Sequence, residues 1–412
     1  MQGYEATEET RATRLWRVPF FVPVMSAVLL AMVAEAMAGS YMALLAVEKI
    51  GMSPLELSAF LTVPAVAGIV VTTIFGHLQD RKPVIWPLLV SLCAKVVGLG
   101  ACAYITQTWL LIDVAGALFG LSASSFALLF AVAKAYLDQL GGPIVSRGMA
   151  VLRLIASLSW TIGPALGAAL VWAKGFTGVY VGAAFLAASA LAIVVFAQMR
   201  VAPSDQQDRA HFSIKMSLSA APVLMALAAF HTAMFMGSNA MSIVVAQDLG
   251  AQSDVGILFS LCAGLEVAVM GAFVAWPDLS SKQWLLFVGF LLFGGYFSMA
   301  MTWPTMLSLY IGQLPRAAGI GIISIVGMEM VQGMFRGRAG TASALFGNTI
   351  SVGFLLSGLG TGTWADAFGY WSLFTLCTAL CVFGAIVLVV HAVRAWRRGG
   401  NVSQGPDRDD RN

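Results

Sequence analysis

Gly76-His77-Leu78-Gln79-Asp80-Arg81-Lys82 follows the second of about twelve long apolar runs in a chain that is only 10% charged. Set there, it reads as a tight cytoplasmic hinge between two membrane helices. The glycine lets helix ends approach closely, Asp80 can accept from a neighbouring helix N-terminus, and Arg81 with Lys82 holds the connection on the cytoplasmic side. Gly76, Asp80 and Arg81 are accordingly the candidate gating loop.

Outward from that hinge, composition fixes the class. A chain with 59% hydrophobic residues and a mean hydropathy of +0.85 carries far more apolar surface than a soluble core of its length needs. One crossing takes about 20 apolar residues for roughly 30 Å of hydrocarbon. Such runs lie near 19–47, 54–77, 84–106, 109–137, 147–172 and 176–199, and again near 217–247, 253–276, 283–302, 304–333, 339–366 and 370–394. The one long polar interruption, 200–216, contains Pro203-Ser204-Asp205-Gln206-Gln207-Asp208-Arg209 and divides six spans from six. The expected fold is an all-α integral membrane protein of about 12 helices in two six-helix bundles, 19–199 and 217–394. A cytoplasmic tail at 1–18, a cytoplasmic linker at 200–216 and a cytoplasmic tail at 395–412 complete the chain. Both halves open their fifth span alike, with Arg147-Gly148 and Arg338-Ala339-Gly340, as a chain built of two related bundles would.

Basic residues set the orientation. Seventeen, from Arg11 to Arg411, fall on the side of the termini and two, Lys49 and Lys174, on the other, which places both termini in the cytoplasm. The net charge of +3 calls for no nucleic acid. Cys93, Cys102, Cys262, Cys377 and Cys381 all fall within spans, so packing is expected of them, with neither a disulfide framework nor a metal site. A phosphate-binding Gly-x4-Gly-Lys-Ser/Thr loop, a His-Glu-x2-His pair and a Gly-x-Ser-x-Gly elbow are all absent, which argues against ATP-driven transport, an enzyme and any cofactor.

Charges inside spans carry the functional reading, because each costs roughly 2.5–3.5 kcal/mol at mid-bilayer. Glu35, Lys95, Arg153, Glu266 and Arg316 are such charges. They either face a shared wet interior or form ion bridges between helices; Lys95 is the one expected to be structural. Lys134 and Asp138, one turn apart, read as a local pair. In the fifth span Arg153, Ser157, Trp160 and Pro164 are spaced by four, three and four, which puts a guanidinium, a hydroxyl, an indole and a kink on one face. A guanidinium offers fixed paired donors to vicinal hydroxyls, and an indole face stacks on the apolar face of a sugar ring. A helix-packing seam is the other reading, since Gly163 and Gly167 make a close contact in any bundle. His231, Ser238, Asn239, Gln313, Arg316 and Asn348 add polar groups; Asn and Gln amides both donate and accept, which suits a polyol.

The Gly76–Lys82 stretch resembles a shortened form of the signature loop of the major facilitator superfamily. Leu152-Arg153-x3-Ser157-Leu158-x-Trp160-x-Ile162-Gly163-Pro164 resembles the fifth span of that superfamily's bacterial sugar efflux transporters. Phe130-Ala131-Val132-Ala133-Lys134 is similar to their fourth span, Ala263-Gly264-Leu265-Glu266 with Val269-Met270 to the eighth, and Gly340-Thr341-Ala342 with Asn348-Thr349 and Val352-Gly353 to the eleventh. Departures fall at Lys134, Ser351, Arg316 and Glu35. The resemblance implies a secondary transporter of the bacterial inner membrane that exports sugars or sugar-like solutes by alternating access as a proton antiporter. Solute contacts are expected from Arg153, Ser157, Trp160, Asn239, Gln313, Arg316 and Asn348, and proton coupling from Glu266 or Glu35. The alternative is a proton-coupled exporter of lipophilic cationic drugs, with Glu35 meeting the cation. Partners on either reading are a small solute, protons and the bilayer, around a monomer.

Overall fold

The structure, a computed structural model, describes residues 20–81, 84–139, 143–199, 220–276, 278, 283–335 and 338–400. The expected linker at 200–216, the tail at 1–18 and residues 401–412 lie outside the described residues. All the long elements are helices: α1 (Phe21–Ser40), α2 (Pro54–Arg81), α3 (Trp86–Tyr104), α4 (Thr108–Ser122), α5 (Ser125–Asp138) and α6 (Pro143–Phe196). The second half holds α7 (Ala221–Val244), α8 (Gln252–Ala275), α9 (Trp284–Thr302), α10 (Met306–Met334), α11 (Ala339–Phe368) and α12 (Ser372–Gly400). Hydrocarbon offers backbone groups no water, so segments of this apolarity satisfy their N–H and C=O groups internally as helices.

Among the described residues, eleven helical stretches are long and apolar enough to cross a membrane. One of them, Ile144–Phe196, has 53 residues; at about 1.5 Å per residue it would run to roughly 80 Å, far beyond one crossing. It folds back at Gly175, whose φ of 64° and ψ of −164° cost a glycine nothing. This break separates the fifth span from the sixth, and the described residues make twelve crossings. α4 and α5 share the fourth, bending at Ala123 and Ser124. The expected hinge after 77 is corrected: α2 continues to Arg81, so Gly76–Arg81 forms the last turn and a half of a helix. Gly76 is the one weak helix former in Gly-His-Leu-Gln-Asp-Arg, a cost of about 1 kcal/mol that a long helix absorbs, and Pro83 opposes helix only from the residue before it onward.

Two local features recur in the halves. The first and seventh crossings each end in a π-helical turn, Leu45–Lys49 and Val245–Leu249. The helices that follow are capped alike: the Glu56 carboxylate accepts from the Ser53 N–H, and the Asp254 carboxylate from the Ala251 N–H, both at 2.8 Å.

Small residues allow the helices to meet, as expected where lipid removes the hydrophobic drive for association. A Cβ on Gly163 of α6 would stand 2.8 Å from Ala36 Cβ and the Val33 carbonyl of α1, and one on Gly167 would stand 2.7 Å from the Tyr41 ring. Gly116 of α4 seats Val63 of α2, and Gly289 of α9 seats Ile323 of α10. One core takes in both bundles, joining Tyr41, Phe60 and Tyr180 to Phe230, Met241 and Phe293. A second holds only residues of the first bundle near its chain terminus, among them Val28, Phe75, Leu128 and Met199. The bundles therefore share a core at the end away from the termini, here called distal, while the proximal part of the first bundle packs on itself.

Candidate functional site

Between the bundles, the second crossing of each half packs on the fifth of the other. At the distal end α2 meets the last turns of α11, where a Cβ on Gly358 would stand 3.0 Å from Thr62 Oγ1 and one on Gly362 would collide with the Pro54 carbonyl. On the other side the start of α8 meets α6, with Gly256 against the Pro164 carbonyl and Gly264 facing the Thr161 methyl at 3.7 Å. Helical periodicity extends each face toward the proximal end. Beyond Pro164 and Thr161 the α6 face continues through Trp160, Ser157 and Arg153, of which Trp160 is 43% exposed, Ser157 half-buried and Arg153 exposed. On α11 the face of Gly358 and Gly362 continues to Ser351 and Asn348, both exposed. On α2 the face of Ser58 continues to Thr72, Thr73 and Gly76, also exposed, and a Cβ on Gly76 would meet nothing within 4 Å. Faces that touch distally thus carry accessible residues proximally, at Arg153, Ser157, Trp160, Asn348 and Gly76, the pattern of a proximal opening between the bundles.

Glu35 lies on α1 next to Ala36, which packs at Gly163 of α6. The Glu35 side chain is 52% exposed, flanked by buried Ala34 and Ala36, and its Oε2 accepts from Lys95 Nζ at 2.5 Å. Lys95 on α3, 3% exposed, stands behind it as a counter-charge. Arg153 differs: among the described residues its guanidinium has no recorded hydrogen-bond or ion-pair partner. Glu266 on α8 is half-buried and within electrostatic reach of Arg316, and a Cβ on Gly321 would stand 3.9 Å from its Cγ.

Other expected site residues lie elsewhere. Gln313 and Arg316 are 0% and 4% exposed inside the second bundle. Arg316 donates to Gln313 Oε1 at 3.0 Å, Ser238 Oγ at 2.8 Å and Met241 Sδ at 3.4 Å, between the Phe259 and Tyr296 rings at 5.4 Å each. Every side of that guanidinium is occupied by its own bundle, so in this state neither residue lines the opening. Asn239 is half-buried, with Nδ2 donating to Thr361 Oγ1 at 3.4 Å. His231 is 3% exposed, its Nδ1 3.2 Å from Thr349 Oγ1. Lys134 and Asp138 form an exposed pair at 2.7 Å. The side chains of Asp80 and Arg81 lie outside the described residues. Two further in-span acids, Asp113 on α4 and Glu329 on α10, are exposed, and a search for charges within apolar runs picks them out. Nothing local in the sequence signals that Lys95 partners Glu35, 60 residues away.

A family model described as Major Facilitator Superfamily matches residues 24–311. The chain is 34% identical over 371 residues to the putative sugar efflux transporter of Deinococcus radiodurans, covering 88% of this chain and 95% of that protein. To sugar efflux transporter A of Escherichia coli it is 26% identical over 357 residues, covering 85% and 90%. Among solved structures it is similar to the nucleoside transporter NupG, with a TM-score of 0.72 at 14% identity over 91% of this chain and 98% of that one. A bacterial homologue of the iron transporter ferroportin gives a TM-score of 0.68 at 15% identity over 92% and 99%.

Proposed function

The chain belongs to the sugar efflux transporter family of the major facilitator superfamily, and on that premise we propose that it exports sugars or sugar-like solutes across the bacterial cytoplasmic membrane by alternating access, in exchange for protons. The observation that carries this reading is the α6 face, closed against α8 at Pro164 and open at Arg153, Ser157 and Trp160. Its guanidinium supplies paired donors in fixed geometry, the hydroxyl donates and accepts, and the indole face stacks on a pyranose. Asn348, exposed on α11, adds an amide that both donates and accepts. The two bundles, 19–199 and 217–394, are the moving bodies of a monomer.

The seventeen-to-two distribution of basic residues supports cytoplasmic termini. The proximal opening then faces the cytosol, the side from which an exporter loads. Glu266 is the favoured proton carrier: an unpaired, half-buried carboxylate near Arg316 whose surroundings would change as α8 moves. Glu35 is the competitor.

Export of lipophilic cations is the second reading, and it depended on a free Glu35. With Lys95 Nζ held on Glu35, an entering cation meets a neutralised pair, which favours an uncharged polyol. Counterflow in proteoliposomes, with radiolabelled sugars, glycosides and cationic dyes, separates the two. Exchange of sugars or glycosides is expected; exchange of dyes without sugars would transfer the assignment to drug export.

A further inference from the structure

The distal contact is fastened by two hydroxyls that the transport reading leaves unused. Ser58 of α2, 6% exposed, donates its proton to the Leu359 carbonyl at 2.8 Å and accepts from the Gly362 and Thr363 N–H groups, both at 3.1 Å. Its hydrogen-bonding capacity is filled entirely by the backbone of the opposite bundle. Across the molecule Tyr41, 0% exposed, accepts through its phenolic oxygen from the Gly256 N–H at 3.1 Å. Both receiving positions are glycines, and neither has room for a side chain: a Cβ on Gly362 would stand 2.6 Å from Ser58 Oγ, and one on Gly256 would stand 2.5 Å from the Tyr41 oxygen and 3.0 Å from Ala168 Cβ.

Within the alternating-access reading, we propose that Tyr41 and Ser58 are the latches of the distal gate, with Gly256 and Gly362 as their seats. Each latch crosses between bundles, so both bonds must break when the distal end opens. The seats require bare backbone because the helices touch there, main chain against main chain. Ser242, whose Oγ donates to the Ser40 carbonyl at 3.3 Å, adds a bond between the first and seventh crossings at the same level.

The test measures distances between spin labels on the full chain in lipid nanodiscs. One pair, at Gln107 and Pro304, reports the distal end, and another, at His77 and Gln332, reports the proximal end; all four positions are exposed. Cys93, the one exposed cysteine, is replaced by Ser. Tyr41→Phe should raise the ratio of distally open to closed molecules about five-fold, the worth of one net hydrogen bond; Ser58→Ala, which removes three, should raise it by at least as much, and the two together by at least about twenty-five-fold. The proximal pair should shorten in step. Gly362→Ala should open the distal end with Ser58 intact; because it inserts a group into a tight contact, the smaller Ser58→Ala and Tyr41→Phe carry the decision if it fails to fold. Unchanged distal distances in both hydroxyl variants would overturn the latch. If the wild-type distances also shift on adding a transported sugar, alternating access stands without the latch. Distal opening in the variants, with wild-type distances indifferent to sugar and to pH, would keep the latch and reject the transport reading.

Discussion

Glu35→Ala should damage this protein far more than Lys95→Met, although the two residues form one ion pair. The asymmetry follows from exposure: Lys95 is 3% exposed and the Glu35 side chain 52%. Removing Glu35 strands a buried ammonium, for which a fully enclosed site costs about 3–5 kcal/mol. Water reaches the half-exposed Glu35 end of that site, so the expected cost is about 2–3 kcal/mol. Removing Lys95 with Met preserves the packed stem and leaves a carboxylate that is already half hydrated, at a cost below about 1 kcal/mol. With an unfolding entropy of about 2.1 cal/mol/K per residue, 412 residues correspond to roughly 0.9 kcal/mol per degree. Glu35→Ala should therefore lower the midpoint by about 3 °C and Lys95→Met by about 1 °C or less. Cys102, Cys262, Cys377 and Cys381 are buried, so a thiol-reactive dye in a Cys93→Ser background reports unfolding as they emerge. The double variant Glu35→Ala/Lys95→Met should recover to the level of Lys95→Met alone. A midpoint for Lys95→Met as low as that of Glu35→Ala, or no recovery in the double variant, would refute the argument that the buried charge sets the cost.

Arg153→Lys keeps the charge and loses the planar fork; it should reach the membrane intact and bind solute about 10- to 100-fold more weakly, the loss of one charge-assisted hydrogen bond, and wild-type affinity by calorimetry would remove the fork from recognition. Glu266→Gln mimics the protonated acid and should retain sugar exchange at equal concentrations while losing accumulation driven by a pH gradient. Should Glu266→Gln still accumulate sugar while Glu35→Gln does not, the coupling role passes to Glu35; loss of exchange in both would end the coupling argument. Topology reporters fused near Arg209 and Asp407 should be cytoplasmic and one near Lys174 exported, and reporters at Arg209 and Asp407 on opposite sides would show an error in the second-half spans.

Apolar run length revealed the helices because each crossing is a local property, and even the reversal at Gly175 fell in the gap left between 172 and 176. The site was legible only in part. Arg153 and Arg316 look alike as lone arginines in apolar runs, yet one is exposed and the other enclosed by Ser238, Gln313, Met241, Phe259 and Tyr296. Gln313, three residues from Arg316, was a local sign that the guanidinium already had a partner. Ser238, 78 residues away, was not. The stripe on α6 was visible because helical spacing defines a face; which neighbour that face meets depends on how two bundles dock. Lone hydroxyls such as Tyr41 and Ser58 carry no sequence signal at all, since apolar spans hold many that simply bond their own helix, as Thr73 does with the Ile69 carbonyl.

The matched caps of α2 and α8 give the two halves a common ruler that their side chains do not. Counted from Ser53 in one and Ala251 in the other, the fifth residue on is Ser58 in the first half and Gly256 in the second. At that shared station one half contributes a hydroxyl and the other a bare main chain. Ser58 lodges on the α11 backbone at Leu359, Gly362 and Thr363, whereas Gly256 donates to the Tyr41 oxygen, so both hydroxyls come from the first half and both bare backbones from the second. The capped helix start is common to both halves, while the closed distal end depends on their differing at this position.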